Sequence, residues 1–303
     1  MTMTLAATEI DDVAVEATCW VCGSENMALA NRGNLPQTLG SEAFQITDQG
    51  YGRTADIHRC ADCGFLQCSD LPDVLEYYED MDDTGYEDTR AQRALQARRL
   101  LQTIAPFKPG GRLLDVGAGS GILVDEALQA GYHAEGIEPS VALQKRAAAS
   151  ALSVHLGVLP DPSVRGPYDC VTLIDVIEHV PDPVGLLTDI AGVLKDDGVC
   201  LIVTPDVRSW AARLMRWHWW HYRIAHIGYF DRSTLTRAAG AAGLQILSIS
   251  RPTWYFPASY LMERVLSYAP NRLRPPVPRM ADKITVPLNL FDSYALICRK
   301  AKA

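Results

Sequence analysis

Residues 113–121 read Leu-Leu-Asp-Val-Gly-Ala-Gly-Ser-Gly, an apolar run that meets three glycines at alternating positions and then a helical pattern. Glycine at 117, 119 and 121 lets the backbone turn tightly and approach a ligand closely. The following helix offers unpaired amide N–H groups and the positive end of its dipole. The turn therefore favours a polar ligand that carries a carboxylate or a phosphate.

The spacing is G-x-G-x-G, whereas the usual dinucleotide fingerprint is G-x-G-x-x-G. Two residues before the first glycine stands Asp115, and a second strand pattern over 133–138 ends in Glu138, whose carboxylate can accept both hydroxyls of a ribose. Residues 168–176 form a nearly continuous apolar run, as in a strand buried on both faces of a parallel sheet. Pro183 then suits a first helical turn, 186–194 has helical spacing, and Lys195-Asp196-Asp197-Gly198 is expected to close that helix before a strand at 199–203. Alternation of this kind predicts an α/β fold with helices on both faces of the sheet. Gly117, Glu138, Gly157 and Asp175 all fall at strand carboxyl ends, where such sheets bind ligands.

Leu-Asp-Val-Gly-Ala-Gly-Ser-Gly resembles the first motif of class I S-adenosylmethionine-dependent methyltransferases, and Gly-Ile-Glu-Pro-Ser at 136–140 resembles their second. Ile-Glu-His-Val-Pro-Asp-Pro at 177–183 resembles the E-H-V-x-x-P segment of the ubiquinone-biosynthesis type, and 226–230 resembles its H-x-x-x-F segment. The resemblance implies a Rossmann-like, seven-stranded sheet whose last strand is inserted antiparallel between the fifth and sixth. It implies S-adenosylmethionine contacts at Asp115, Gly117, Ala118, Gly119, Gly121, Glu138, Pro139, Gly157, Asp175 and Val176. His179 and His226 are the candidate bases, because histidine takes a proton near neutral pH. Glu178 and the aromatic segment 210–230, through Trp217, Trp220, Tyr222 and Tyr229, are expected to face the acceptor. The plainer alternatives are a turn-capping Asp115, structural histidines and a core of buried tryptophans.

Upstream, Cys19-Trp-Val-Cys22-Gly and Cys60-Ala-Asp-Cys63-Gly are two C-x-x-C knuckles separated by 37 residues. Four thiolates in this arrangement make a tetrahedral zinc site, closed to water, that acts as a folding staple. His58 and Cys68 are the substitutes for a ligand. Residues 19–68 hold three arginines and no lysine, so the expected ribbon lacks the basic stripe of a nucleic-acid binder.

The expected organisation is an acidic, mobile segment 1–17, a zinc ribbon 18–70, a helical linker or lid 71–108 and a methyltransferase domain 109–303 with an insert at 254–290. In the linker, Arg90, Arg93, Arg98 and Arg99 read as the solvated face of an amphipathic helix, and Tyr77, Tyr78 and Tyr86 as lid residues. A net charge of −8 and a pI near 5.4 disfavour a polyanionic partner and leave a small-molecule acceptor. The cysteines suit a reducing compartment, and without a basic-then-apolar leader pattern the expected place is the cytoplasm. The insert's apolar residues are expected to pack on the core or on a second subunit, as in a homodimer, ahead of a membrane surface. O-methylation of a sugar or natural-product metabolite is the leading expectation. Sugar C-methylation ranks behind it, because those relatives carry a large extra C-terminal domain. An RNA or protein methyltransferase, a dinucleotide oxidoreductase and a noncatalytic zinc adaptor are the remaining alternatives.

Overall fold

The computed structural model describes residues 18–35, 44–45, 50–71, 74–83, 85–266 and 275–301. The segment 1–17 lies outside the described residues, as do Pro72 and positions 267–274 of the insert. The chain runs through β1 (Met27–Asn31), β2 (Ile57–Cys60), β3 (Leu66–Gln67), α1 (Val74–Glu79), α2 (Gly85–Asp88) and α3 (Arg90–Ile104). Strand and helix then alternate through β4 (Gly111–Val116), α4 (Ile122–Gln129), β5 (Tyr132–Glu138), α5 (Val141–Ala149), β6 (Val154–Leu156), β7 (Tyr168–Ile174), α6 (Pro183–Val193) and β8 (Leu194–Pro205). The last part comprises α7 (Trp210–Met215), β9 (Gly228–Tyr229), α8 (Arg232–Ala241), β10 (Leu244–Ser250), β11 (Trp254–Pro257), α9 (Ala258–Leu266), β12 (Thr285–Leu288) and β13 (Ser293–Lys300).

Seven strands form one sheet in the order β10-β13-β8-β7-β4-β5-β6. β13 runs antiparallel to both neighbours, and the other pairs are parallel. Side chains alternate across this sheet. Leu114, Val116, Val171, Leu173 and Ile202 enter one apolar layer with Leu187 and Ile190 of α6 and Leu235 of α8. Leu113, Cys170, Leu201 and Val203 enter the other with Leu100 and Ile104 of α3 and Leu123 of α4. Because both faces are covered, the central strands read as unbroken apolar runs rather than as alternating ones.

Local chemistry starts the helices where the sequence places them. Ser140 Oγ accepts from Leu143 N–H at 3.2 Å, and Asp182 accepts from Gly185 N–H at 2.8 Å ahead of Pro183. Asp231 and Thr234 form a capping box on α8. Each cap is worth about 1 kcal/mol. One expectation is corrected: residues 195–198 do not close α6 as a free turn but form a bulge at the start of β8. The register jumps from Tyr168↔Leu194 to Cys170↔Val199. Lys195 Nζ lies 2.8 Å from Asp169 Oδ2 on β7, and that pairing holds the polar residues against the strand.

A second sheet, β1-β2-β3-β9, is antiparallel throughout and carries the cysteine knuckles. Its fourth strand belongs to the part of the chain that follows β8. A hairpin of β11 and β12 is the third sheet.

Candidate active site

β4 delivers the glycine turn to the carboxyl end of the sheet. Gly117, Gly119 and Gly121 all take positive φ (75°, 55° and 79°), a conformation costly for residues with a Cβ. The Gly117 and Ala118 amides both donate to the Ile137 carbonyl at 2.9 and 3.1 Å, which pins the turn to β5. Room is short beneath it: a Cβ on Gly136 would stand 2.5 Å from that of Ala118.

The turn opens onto a cavity of about 810 Å³. This lies in the upper part of the roughly 300–1,000 Å³ range of ligand pockets. Asp115, Gly117, Ala118, Gly119, Glu138 and Pro139 line one end, with Gly157 beside them. Gly121 is not among the lining residues: a Cβ there would point at Leu152, 2.8 Å away, and its part is to start α4.

Glu138 ends β5 with its carboxylate buried. Oε2 accepts from Gly119 N–H at 2.8 Å and Oε1 from Ser140 N–H at 2.9 Å, so the acid braces the turn that it faces. Burial raises its pKa, and the two amides partly offset this. Asp115 Oδ1 accepts from Thr172 Oγ1 at 2.6 Å. Burial pushes the Asp115 carboxyl up to about 7, Thr172 pulls it down, and nearby Glu138 adds a further rise.

Past the end of β7, Asp175 adopts φ of 51°, and its Oδ1 is buried without a hydrogen-bond partner among the described residues. Burial pushes this carboxyl up to about 7 as well. Asp175, Val176 and His179 line the middle of the cavity. His179 Nδ1 lies 2.6 Å from the Ala225 carbonyl and 2.5 Å from Tyr78 Oη, whose hydroxyl donates to the same carbonyl at 3.2 Å. That geometry puts the proton on Nδ1 and leaves Nε2 with a lone pair. Burial lowers the His179 pKa to about 4, and His226 is driven well below the usual range by burial and by His179 and Arg223. The His179 and His226 rings meet edge to face at 4.7 Å, and His221 stacks on His226 at 5.5 Å.

The cavity is also lined by Trp220, His221, Arg223, His226 and Asp292. Trp220 Nε1 donates to Asp292 Oδ2 at 3.0 Å, and His221 Nε2 lies 3.6 Å from the same oxygen. The roof comes from three distant segments. Tyr78, Met81, Tyr86 and Arg93 belong to the helices before β4, Tyr51 to the loop before β2, and Trp254, Tyr255, Phe256, Tyr260 and Arg264 to the insert. Tyr86 reaches over Gly119, with its hydroxyl 3.1 Å from where a Cβ would be, and Arg93 lies 4.0 Å above the Tyr86 ring.

Several sequence expectations are corrected by these positions. Glu178 does not line the cavity; it is buried behind the histidines, and Thr204 Oγ1 donates to its Oε2 at 2.9 Å. Its carboxylate and the two rings do converge, one ligand atom from each of Glu178, His179 and His226 lying within 4.8 Å of the others. Tyr222 and Tyr229 are core residues, packed with fully buried Trp219, and Trp217 packs against that cluster. Of the four aromatic candidates only Trp220 faces the cavity. Arg93 leaves the expected solvated face of α3, whereas Arg98 and Arg99 keep to it. Arg93, Tyr51 and the insert line the cavity without a sequence motif to mark them. Their only signal is that a polar or aromatic side chain falls on the inward side of its element.

The four knuckle sulfurs converge away from this cavity. Cys19 Sγ and Cys63 Sγ are 3.5 Å apart, Cys22 Sγ and Cys60 Sγ 3.6 Å, and all four lie within 4.8 Å of one another. Tetrahedral zinc–thiolate bonds of about 2.3 Å call for sulfurs about 3.8 Å apart, so the set fits zinc. His58 lies within β2, and Cys68 is buried outside the cluster.

Known proteins share this layout in part. The chain is 33% identical over 116 residues to a ubiquinone biosynthesis O-methyltransferase of Haemophilus ducreyi, covering 34% of this chain and 49% of that protein. It is 34% identical over 108 residues to the enzyme of the same name from Caulobacter vibrioides, covering 33% and 42%. The chain thus spans about half the length, or less, of these curated relatives. A chain in the complex between the Haloferax volcanii Trm112 methyltransferase activator and a methyltransferase superposes with a TM-score of 0.53 at 16% identity, over 77% of this chain and all of that one. Residues 89–249, more than half of the sequence, match the family described as methyltransferase domain. With the glycine turn, Glu138 and the inserted antiparallel strand in place, the chain belongs to that family and has the class I fold of S-adenosylmethionine-dependent methyltransferases.

Proposed function

We propose that this protein methylates a hydroxyl of a small molecule, a sugar or natural-product metabolite, with S-adenosylmethionine as donor and a structural zinc on Cys19, Cys22, Cys60 and Cys63. The observation that carries the reading is one continuous cavity running from the glycine turn and Glu138 to His179 and His226. The names of the curated relatives favour oxygen as the acceptor atom.

When bound, the donor supplies an electrophilic sulfonium methyl. The chain's own residues then bind, orient and exclude water. Glu138 accepts the ribose hydroxyls, and Asp115, Ala118 and Pro139 shape the adenosine end. Arg93 provides positive charge for the methionyl carboxylate. Beyond Asp175 and Val176, the acceptor lies against Trp220 and the insert's aromatic wall. Bound S-adenosylmethionine would supply its methyl to the acceptor oxygen and leave as S-adenosylhomocysteine, and His179 or His226 would take the hydroxyl proton. Burial keeps both candidate histidines unprotonated at neutral pH and, by lowering their pKa, makes each a weaker base than a free imidazole.

Calorimetric titration with S-adenosylmethionine and S-adenosylhomocysteine tests this. Micromolar binding is expected, and Gly119→Arg abolishes it because its side chain collides with Tyr86 and fills the turn. A folded, zinc-loaded chain that binds neither compound would overturn the reading. Positive binding leads to an acceptor screen with nucleotide sugars and phenolic metabolites.

A further inference from the structure

The cysteine-bearing sheet and the acceptor end of the cavity are built on the same short stretch of backbone. β3 pairs with β9 in the register Leu66↔Tyr229 and Gln67↔Gly228. One residue further, Cys68 N–H donates to the Ile227 carbonyl at 2.8 Å, and Ile227 N–H donates to the Glu178 carbonyl at 2.9 Å. Ile227 is flanked by His226, and Glu178 by His179. The ladder that begins at a zinc knuckle therefore ends at both histidines.

Gln67 links the first knuckle to β3. It is fully buried; Trp20 N–H donates to its Oε1 at 2.9 Å, and its Nε2 donates to the Thr18 carbonyl at 2.9 Å, on either side of Cys19. Packing follows the same path. Cys19, Cys60 and Phe65 share an apolar layer with the central sheet, and Phe65 meets Phe230 at 4.8 Å between ring centres. The glycine turn and Glu138 form no rung of this ladder; their hydrogen bonds run to β5, α4, the start of α5 and Gly157.

We propose that the zinc ribbon is a positioning part of the acceptor site: β3, held by the metal and by Gln67, fixes residues 226–229 and so sets His226 and His179. The cofactor end hangs on no rung of that ladder and shares only apolar packing with the ribbon. This rests on the proposed zinc and methyltransferase reading, and it assigns the ribbon a role beyond holding itself together. Without the metal, the two knuckles separate, β3 loses its anchor, and β9 becomes an unpaired edge beside the histidines.

The test compares zinc-loaded and chelator-stripped full-length protein by amide hydrogen exchange and S-adenosylhomocysteine calorimetry. In the stripped chain, exchange over 226–230 is expected to rise about tenfold or more, with 113–121 unchanged and the Kd for S-adenosylhomocysteine within about twofold. Gln67→Ala, retaining one zinc per chain, should accelerate the same amides by a smaller factor. Unchanged exchange at 226–230 in the stripped chain overturns the proposal. If stripping unfolds the whole chain, the Gln67→Ala protein decides, with local acceleration supporting the role and wild-type exchange refuting it. Failure of the zinc-loaded wild type to bind S-adenosylhomocysteine would instead sink the methyltransferase reading, with the exchange comparison still deciding the positioning role.

Discussion

Asp115 is a buried carboxyl near the end of β4. Its carboxyl titrates near 7, against about 4 for an unfolded aspartate. Between these values the folded chain keeps a proton that the unfolded chain has released, so the Asp115 contribution to stability falls as pH rises through that window. Asp115→Asn should therefore match the wild type in thermal midpoint at pH 4 and exceed it at pH 8; a constant gap across that range would contradict the assignment. Gly136→Ala tests the floor of the turn. Its Cβ would sit 2.5 Å from that of Ala118, an overpacking that costs about 1–3 kcal/mol in denaturant titration and weakens S-adenosylhomocysteine binding. His226→Asn is expected to retain that binding and to lower methyl transfer about 10²- to 10⁴-fold once an acceptor is in hand.

At the scale of elements, the parts legible in the sequence are those governed by local rules. The glycine turn, the buried strand β7 and the capped helices announce themselves through positive-φ residues, unbroken apolar runs and Ser, Asp and Pro at helix starts. The glycine turn and the acid that ends β5 are legible for that reason. The acceptor end is not, because it is assembled from segments far apart in sequence. Nothing local distinguishes Trp220, whose indole reaches Asp292, from Trp219, which is fully buried. Tyr222 and Tyr229 pack in the core instead, since an aromatic-rich stretch suits a core as well as a binding wall. The insert is the element that closes the roof. Its hairpin is tied to α3 where Arg99 Nε donates to Tyr255 Oη at 3.1 Å and Gln92 Nε2 to Thr285 Oγ1 at 3.2 Å. Phe256 and Tyr260 stack at 5.4 Å beneath it. Phe256→Ala should change the order of preference among screened acceptors by tenfold or so while leaving the Kd of S-adenosylhomocysteine unaltered; a loss of cofactor affinity would show that this wall serves the donor instead.

On the scale of the whole molecule, the two ends of one cavity answer to different supports. The donor end depends on the central sheet. On the proposed reading the acceptor end rests on the cysteine-bearing sheet and the insert, the helices before β4 reach over both ends, and among the described residues no helix is long and apolar enough to cross a membrane. The β3–β9 pairing also puts the two supports on different clocks. During synthesis Leu66 and Gln67 leave the ribosome long before their partners Gly228 and Tyr229, so for most of the time the chain is being made, β3 is an open edge. Until then the nascent protein has only the β2 pairing, Gln67 and the cysteine cluster to order that edge, and the proposed acceptor site takes shape only when a late piece of chain docks onto an early one.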